Sequence, residues 1–558
     1  MSRRPFWANN PPAEGEVSDM TGQNTKLWSR QRPHSRLLGA LVVALGVGLA
    51  GCRTGSDDIE RWANTAQGPR KLVAVLTHDK YPMELRLEAA MTLIRMKPRG
   101  GRRIGIQGTD DQPGLIGALQ RMDPASRSAI VSQLVPALTA EIVKAPPPAQ
   151  AGQPPPADLS TPYKDAAFAL LVTDGGSLVS DVKLQQELRT ALATWGSTNF
   201  AQRMDDSSQL FGMEQVLREL KADGVRKLPD LMVPGAAKVD RMADLVADFG
   251  DPATKLRASQ KLVVIAQQTA SEEWIKQKAP AVEAANKASK LSPKPEQFRA
   301  QLEQYQEEEL LRVFASMKRV GGQPAVDYLL GFAENKANSD KKRANALAAL
   351  QGNLDRNNPA HANAVLAIAS AADTPDQVRD VALQRVGEFP RATVVERLYG
   401  LFDNENWKVR WVAAELILRM SDTGQLPEFF DKIGKAPGMA ITEPLRYGAL
   451  IADMKGPKTP KDAVQPYLAS ARPVEARLTA LGYYYAAGTP DDLGQLSSFA
   501  GDKTRTPECK KDVKECEWKC EVTSGDKQET KDITTLGEFF EFCVKPAVSK
   551  RQAGKKAP

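Results

Sequence analysis

Cysteine is the residue type whose spacing points most directly to chemistry in this chain, because a thiol can be oxidised, bind a metal or carry a lipid. The chain has five cysteines in 558 residues. Cys52 stands alone near the N-terminus, and the others lie close together near the C-terminus, at Cys509, Cys516, Cys520 and Cys543. In an exported chain, these four thiols predict two disulfides in one of three pairings. Zinc is the alternative, although no Cys-x-x-Cys pair or nearby histidine supports it.

The stretch before Cys52 has the parts of an export signal. A polar, arginine-containing segment precedes an apolar run over 37–48, and the run ends in Leu49-Ala50-Gly51-Cys52. This pattern predicts a signal peptide over 1–51, with Met20 as a candidate start. The four residues resemble the lipobox of bacterial lipoproteins, which implies a diacylglycerol on Cys52, the new N-terminus. The alternatives are an ordinary signal peptide or a signal anchor in which Cys52 has no special role.

Catalytic chemistry has little support in the sequence. The chain has only three histidines, and no nucleotide-binding, serine-hydrolase or zinc-protease motif occurs in a suitable context. We therefore expect no enzyme activity, no cofactor and no metal. Without residues 1–51 the formal net charge falls from +7 to about +4 with mixed signs, which does not indicate a nucleic-acid binder.

A recurring Arg-x-x-Ala pattern predicts the helices of this chain. Successive copies are separated alternately by 36 and 31 residues, and they begin at Arg343, Arg379, Arg410, Arg446 and Arg477. Residues three apart share a helix face, so the small alanine lets a neighbouring helix approach while the arginine stem covers apolar surface. We therefore assign these arginines to repeat stacking. A period in the thirties built from helix pairs predicts an α-solenoid.

The clearest copy is 394–420, which comprises two amphipathic helices joined by a polar turn at 403–406. Its residues Leu401-Phe402-Asp403 and Val409-Arg410-Trp411-Val412-Ala413-Ala414 resemble HEAT repeats, particularly the short HEAT-like repeats of the phycobilin lyase family. The resemblance covers roughly 57–500 and is clear over 323–500. It implies a scaffold fold and a protein-binding role. No chromophore-handling residue is recognisable.

The predicted fold class is all-α, a HEAT-like α-solenoid of stacked helix pairs with a small disulfide-rich α+β cap at the C-terminus. Proline-rich sequence interrupts it once, and a long helical hairpin is inserted before the regular repeats. The predicted segments are a signal peptide (1–51), N-terminal repeats (52–143), a linker (144–160), a helical region with the hairpin (161–322), regular repeats (323–500), a Cys-rich module (501–548) and a disordered basic tail (549–558).

Two groups of residues are candidates for contacting a partner. The first is an aromatic strip in the regular repeats, made of Trp411, Tyr447, Tyr483 and Tyr484. The alternative for these aromatics is that they fill gaps between repeats. The second is a glycine-rich basic loop that contains Arg99, Arg102 and Arg103, for which a solvated insertion between repeats is the alternative.

The sequence therefore predicts a cell-envelope lipoprotein, anchored by lipid at Cys52 in the outer membrane and facing the periplasm, whose repeats bind another protein. A ligand-binding protein that recognises polysaccharide or peptide through the disulfide-bonded module is the alternative. An enzyme of unfamiliar type is a third class, and it predicts a deep pocket lined by convergent titratable groups.

Overall fold

The computed structural model describes residues 54–99, 101–144, 158–371, 373–404, 407–434, 439–507, 517–524 and 527–551. The predictions for the signal peptide, Cys52, Cys509 and Cys516 lie outside the described residues. The described helices all lie in the compact unit that begins at Ser56. Within these residues the fold is the predicted HEAT-like solenoid of stacked helix pairs, and its strands form only two short antiparallel hairpins.

The N-terminal half consists of short helices connected by tight turns. Asp123, Asp181 and Asp251 each accept a hydrogen bond from a backbone N–H of the helix that follows, and these helices are Pro124–Ile142, Val182–Ser197 and Pro252–Thr269. The elements in order are α1 (Ser56–Ala63), α2 (Gly68–Thr77), α3 (Met83–Arg95), α4 (Ile104–Gln107), β1 (Gly108–Thr109), β2 (Gln112–Pro113), α5 (Leu115–Arg121), α6 (Pro124–Ile142), α7 (Thr161–Val172), a 3-10 turn (Thr173–Gly176), α8 (Val182–Ser197), α9 (Phe200–Asp205), α10 (Met213–Leu220), α11 (Ala222–Val225), α12 (Leu228–Leu231) and α13 (Val239–Phe249).

The regular repeats follow a helical hairpin, and in the first three pairs the two helices pack on one another. Second helices also pack on second helices along the stack, from the helix Pro295–Val320 to the helix Val474–Ala487. The elements are α14 (Pro252–Thr269), α15 (Glu272–Ala288), α16 (Pro295–Val320), α17 (Gln323–Glu334), α18 (Asp340–Ala349), α19 (Pro359–Ser370), α20 (Asp376–Val386), α21 (Arg391–Gly400), a 3-10 turn (Leu401–Asp403), α22 (Trp407–Arg419), α23 (Leu426–Ile433), α24 (Thr442–Ala452), α25 (Pro460–Val464), a 3-10 turn (Gln465–Leu468), α26 (Val474–Ala487), a 3-10 turn (Pro490–Asp492), α27 (Leu493–Leu496) and a 3-10 turn (Ser497–Phe499).

The marker arginines lie in second helices, and four of the five are buried, namely Arg343, Arg379, Arg410 and Arg477. In two repeats the arginine Nε donates to a carbonyl at the end of the preceding helix, from Arg343 to Ala333 at 2.8 Å and from Arg379 to Ala369 at 3.1 Å. The last carbonyls of a helix lack partners within the helix and carry partial negative charge. In these two repeats the buried arginine therefore joins the two helices of the pair.

Arg446 departs from this pattern. It is exposed and lies 3.1 Å from Glu415. The buried arginines are the fourth residues of their helices, whereas Arg446 is the fifth residue of α24. One residue rotates a side chain by about 100° around a helix, which turns Arg446 to the surface. Its repeat-stacking assignment is therefore corrected to a surface ion pair.

The closest helix contact in the repeats is between α24 and α26, and two glycines allow it. Gly448 and Gly482 face each other there, and a Cβ on Gly482 would lie 1.9 Å from the carbonyl oxygen of Pro444. Any side chain would force these backbones apart. The sequence predicts that a small alanine lets neighbouring helices approach each other. At this contact the small residue is glycine.

The C-terminal residues form a small α+β cap that packs on the last repeat. It contains the hairpin β3 (Lys519–Ser524) and β4 (Lys527–Asp532), then α28 (Leu536–Glu538), a π-helical segment (Phe539–Val544) and α29 (Lys545–Ser549). A disulfide joins Cys520 of β3 to Cys543, which identifies one of the predicted bridges. Trp518 donates from Nε1 to the Met439 carbonyl at 2.9 Å, and Phe539 is fully buried against it. The cap thus closes the end of the helical core.

The boundary of the basic tail needs a correction. Arg551, within the segment 549–558 that the sequence predicts to be disordered, donates to the carbonyls of Tyr484 and Gly488 at 3.1 and 3.0 Å. These carbonyls lie at the end of α26, so Arg551 neutralises a helix C-terminus from the cap. The residues after Arg551 lie outside the described part of the chain.

Candidate functional site

The three arginines of the basic loop have different environments. Arg99 is exposed and donates to the Thr65 carbonyl at 2.9 Å, and Arg102 is exposed beside Asp110. Arg103 is buried, with its Nε 2.9 Å from Asp165 and its Nη2 donating to the Ser208 carbonyl at 3.0 Å. The loop therefore does not form one solvated basic surface, because Arg103 belongs to an internal charge cluster.

This cluster is centred on Lys164 and Asp165 at the start of α7, both fully buried. Lys164 Nζ lies 2.6 Å from Asp165, and its remaining partners are Gln209 and the Phe211 carbonyl. The Asp165 carboxylate also accepts from the backbone N–H groups of Leu210 and Phe211. Burial lowers the pKa of Lys164, Asp165 opposes that shift, and Arg103 adds to it. A second cation, Arg103, therefore shares the Asp165 carboxylate with Lys164.

A second buried pair lies beside the first. Arg203 Nε donates to Asp158 at 2.7 Å, and Trp195 Nε1 donates to the Ser160 hydroxyl at 2.9 Å. The Trp195 ring contacts two cations, with Arg203 Cζ at 4.5 Å and Lys164 Nζ at 4.9 Å from its centre. Burial raises the pKa of Asp158, but hydrogen bonds from Ser160 and Arg203 outweigh it and leave that pKa lowered. Asp158 and Ser160 therefore belong to the folded core and not to the predicted linker 144–160.

A cleft of about 1120 Å³ opens beside these two pairs. Its wall combines charged side chains with apolar ones such as Leu159, Pro162 and Tyr163, and Leu159 is 72% exposed. Asn199 and Lys238 on this wall have positive φ angles of 52° and 63°, a conformation that costs free energy and is found at functional sites more often than elsewhere. Thr161 Oγ1 is buried in the same wall, with no hydrogen-bond partner among the described residues. These features make the cleft our candidate binding site.

Comparisons with known proteins find similarity only among solved structures. No protein-family model matches the chain, and a search of curated proteins gives no match. Among solved structures it is similar to the karyopherin Kap121p at 13% identity and a TM-score of 0.28, covering 79% of this chain and 43% of that one. It is also similar to Kap121p bound to the SUMO protease Ulp1p (13%, TM-score 0.29, 80% and 46%) and to Kap121p bound to Ste12p (14%, TM-score 0.28, 80% and 43%).

The chain therefore spans less than half the length of these structures. Among the described residues, every helix is either too short or too polar to span a lipid bilayer. The described residues also contain no group of three or more potential metal ligands.

The aromatic residues considered for a partner-binding strip lie mostly in the interior. Tyr447 and Tyr484 are fully buried, Tyr483 is 8% exposed, and Trp411 is half-buried beside Trp407. This arrangement corresponds to the alternative in which aromatics fill gaps between repeats. Partner binding by Tyr447 and Tyr484 is thus corrected to a packing role, because a side chain without exposed surface cannot contact a second protein.

Glu443, the carboxylate that Tyr447 contacts, is not among the residues predicted from the sequence. Glu443 is 1% exposed, receives hydrogen bonds from the Tyr447 hydroxyl at 3.1 Å and the Ala440 N–H at 2.5 Å, and lies 3.6 Å from Arg410. Burial raises the pKa of Glu443 to about 7, although Arg410 and both hydrogen bonds oppose that shift. The signal in the sequence was a glutamate one turn before an aromatic residue, Glu443 before Tyr447.

We expect Glu443 to make stability fall as pH rises. Its pKa is about 7 in the folded protein and near 4.5 when unfolded, so between these values the unfolded state loses its proton first. Relative to wild type, Glu443→Gln should gain roughly 3 kcal/mol of unfolding free energy between pH 4.5 and 7.5. Urea denaturation across this range measures the difference. The exposed Glu396→Gln variant is the control, and its unfolding free energy should change with pH as that of the wild type does. If the unfolding free energies of all three proteins changed equally with pH, the expectation would be contradicted.

Proposed function

We propose that this protein is an exported lipoprotein whose HEAT-like helix pairs bind another protein of the cell envelope. The observation that carries the proposal is the stack of pairs from α17 to α26, in which the helices α17 to α25 bury one face on their neighbours and leave another exposed, whereas α26 has no exposed residue. Repeat folds of this kind present adjoining surfaces that a partner can contact over several units. In this proposal the protein has no catalytic activity of its own.

Two features support a location outside the cytoplasm. Leu49-Ala50-Gly51-Cys52 follows an apolar run of signal-peptide length, and the Cys520–Cys543 disulfide is of a kind that persists in oxidising compartments. Lipid on Cys52 would hold the chain at a membrane. We place that membrane at the outer membrane, with the repeats facing the periplasm.

The partner would be detected by photocrosslinking in living cells. A photoreactive amino acid is placed at one exposed position per repeat, in a first-helix row (Asp327, Ala367, Glu396) and in a second-helix row (Ala348, Gln384, Arg419). We expect one protein partner to crosslink from at least two successive repeats of the same row, because a partner that lies across the stack contacts neighbouring units. The opposite row and cells without irradiation are the controls.

Absence of crosslinks from all six positions would contradict a binding role for the repeats. Crosslinks from only one isolated position would contradict recognition across several units. Both outcomes would leave the described fold intact, since the substitutions are at exposed positions.

A further inference from the structure

Part of the basic loop lies on the surface, although Arg103 does not. Lys97, Arg99 and Arg102 are exposed, and the sequence has no acidic residue in 89–109. Arg99 and Arg102 exchange two backbone hydrogen bonds, each of 3.0 Å, and so lie directly opposite each other. Like charges in that position destabilise a paired segment. An anion beside the two arginines would remove this repulsion.

The loop is attached to the turn that follows α1. Arg99 Nη2 donates to the carbonyl of Thr65, which lies two residues after the end of this helix. The N–H of Thr65 donates in turn to the Trp62 carbonyl at 3.0 Å, and Lys71 Nζ lies 5.1 Å from the centre of the Trp62 ring. A fourth exposed cation therefore lies beside this turn. We define the basic face as Lys71, Lys97, Arg99 and Arg102.

Three of these four cations have no carboxylate at ion-pair distance among the described residues. Arg102 is the exception, with Asp110 at 3.7 Å, and the Asp110 side chain is 94% exposed. An exposed pair of this kind is weak. Asp57, Glu60 and Asp111 are exposed and close in sequence, but the structure shows no ion pair between them and the basic face. The basic face therefore favours an anionic partner.

The position of the basic face in the chain indicates which anionic surface it meets. The helix α1 begins four residues after Cys52, and its eight residues make it about 12 Å long. With a lipid on Cys52, the chain length alone would keep Thr65 within about 35 Å of the bilayer. Such a tether gives the headgroups a high effective concentration at the basic face. Trp62, half-buried beside Lys71, is of the residue type that is enriched at membrane interfaces.

We propose that the basic face contacts anionic phospholipid headgroups of the membrane in which the lipid on Cys52 is held, with Arg99 and Arg102 against phosphate oxygens. This contact rests on the proposed lipid anchor and gives the membrane a second point of attachment to the protein. Each basic side chain at an anionic surface strengthens binding about fivefold. The four cations would therefore orient the anchored protein, while the acyl chains supply most of its attachment.

The test uses the purified mature chain with Cys52→Ser, so that no acyl chain contributes to binding. Cosedimentation with sucrose-loaded vesicles gives its partition coefficient on phosphatidylcholine with or without about one-third phosphatidylglycerol, at about 20 mM salt, where screening is weak. We expect at least about tenfold tighter binding to the anionic vesicles. Raising the salt to about 0.5 M should remove this difference, because surface charges are then screened.

The double variant Arg99→Gln/Arg102→Gln should weaken binding to the anionic vesicles about tenfold. Its matched control is Arg226→Gln/Arg257→Gln, which removes the same charge from two exposed arginines that pair with Asp223 and Asp230. Binding of the control should be unchanged, because these arginines lie outside the basic face. Asp110→Asn should strengthen binding about threefold, since it removes the carboxylate beside Arg102.

Equal binding to the two kinds of vesicle would overturn the proposed contact. Equal weakening by the two double variants would also overturn it, because total charge and not the basic face would then be responsible. Displacement by inorganic phosphate at constant ionic strength would overturn the assignment to lipid. If vesicle binding fails while the wild-type protein carries lipid on Cys52, the headgroup contact fails and the proposed anchor stands. If the vesicles bind but Cys52 carries no lipid, the proposed anchor fails.

Discussion

Arg379→Ala should destabilise the helix pair α19–α20 by about 3–5 kcal/mol, far more than a surface arginine substitution. Arg379 is 3% exposed. Its Nε and Nη2 donate to the carbonyls of Ala369 and Ala371, each at 3.1 Å, and its Nη1 donates to Asp376 at 2.9 Å. Alanine would leave two carbonyls at the end of α19 without these donors and would open a cavity where the arginine stem packs.

The same sequence motif supplies the control. Arg446→Ala changes an Arg-x-x-Ala arginine that is exposed and pairs with Glu415 at 3.1 Å, so its cost should stay below about 1 kcal/mol. Arg379→Lys should fall between the two, because lysine keeps the charge but cannot bond to both carbonyls. Native-state hydrogen exchange of the amides of α19 and α20 measures the local free energy of opening. Equal losses in Arg379→Ala and Arg446→Ala would show that the buried arginines do not hold the pairs together.

The repeat architecture could be predicted because its signals are local and recur. Apolar periodicity and the spacing of the arginines both arise within one helix pair, and they place Arg343, Arg379, Arg410 and Arg477 in second helices, where the structure has them. For Arg446, the spacing alone predicts the wrong environment. Its spacing fits the series, yet α24 begins one residue earlier relative to the motif, and burial depends on that rotation.

The candidate site could not be predicted in this way because its parts are distant in sequence. Arg103 and the Ser208 carbonyl are 105 residues apart, and Asp158 follows a proline-rich stretch that indicates a linker. One signal was available: Lys164 and Asp165 immediately precede the apolar segment Ala166–Leu171. Adjacent charges on a helix that is otherwise apolar require buried partners, although the sequence does not say which ones.

The cap was predictable as a disulfide-bonded module but not as part of the core. Four clustered cysteines indicated the bridges, and the hairpin followed from alternation in 515–522. The contacts of Trp518 with Met439 and of Arg551 with Tyr484 are set by the last repeat. Removing 501–558 would therefore expose the end of the helical core. Loss of binding in the truncated protein would then follow either from loss of a binding site in the module or from unfolding of the last repeat.

The second large effect is expected at Cys52. Lipid attachment requires its thiol, and each buried methylene of an acyl chain contributes about 0.8 kcal/mol to membrane binding. Removing the thiol should therefore abolish attachment and not merely weaken it. A variant in which an ordinary cleaved signal peptide replaces residues 1–51 and Cys52 is changed to serine should lose about nine-tenths or more of its membrane association. Arg53→Ser, which keeps the thiol, should behave as wild type.

Whether lipid at Cys52 holds a helical-repeat scaffold at a membrane is measured by metabolic labelling with an alkyne fatty acid followed by membrane fractionation. We expect the wild-type and Arg53→Ser proteins to carry the label in the membrane fraction, and the Cys52→Ser variant to be unlabelled and soluble. An unlabelled wild-type protein, or a Cys52→Ser variant that remains wholly in the membrane after its signal peptide is cleaved, would contradict this expectation.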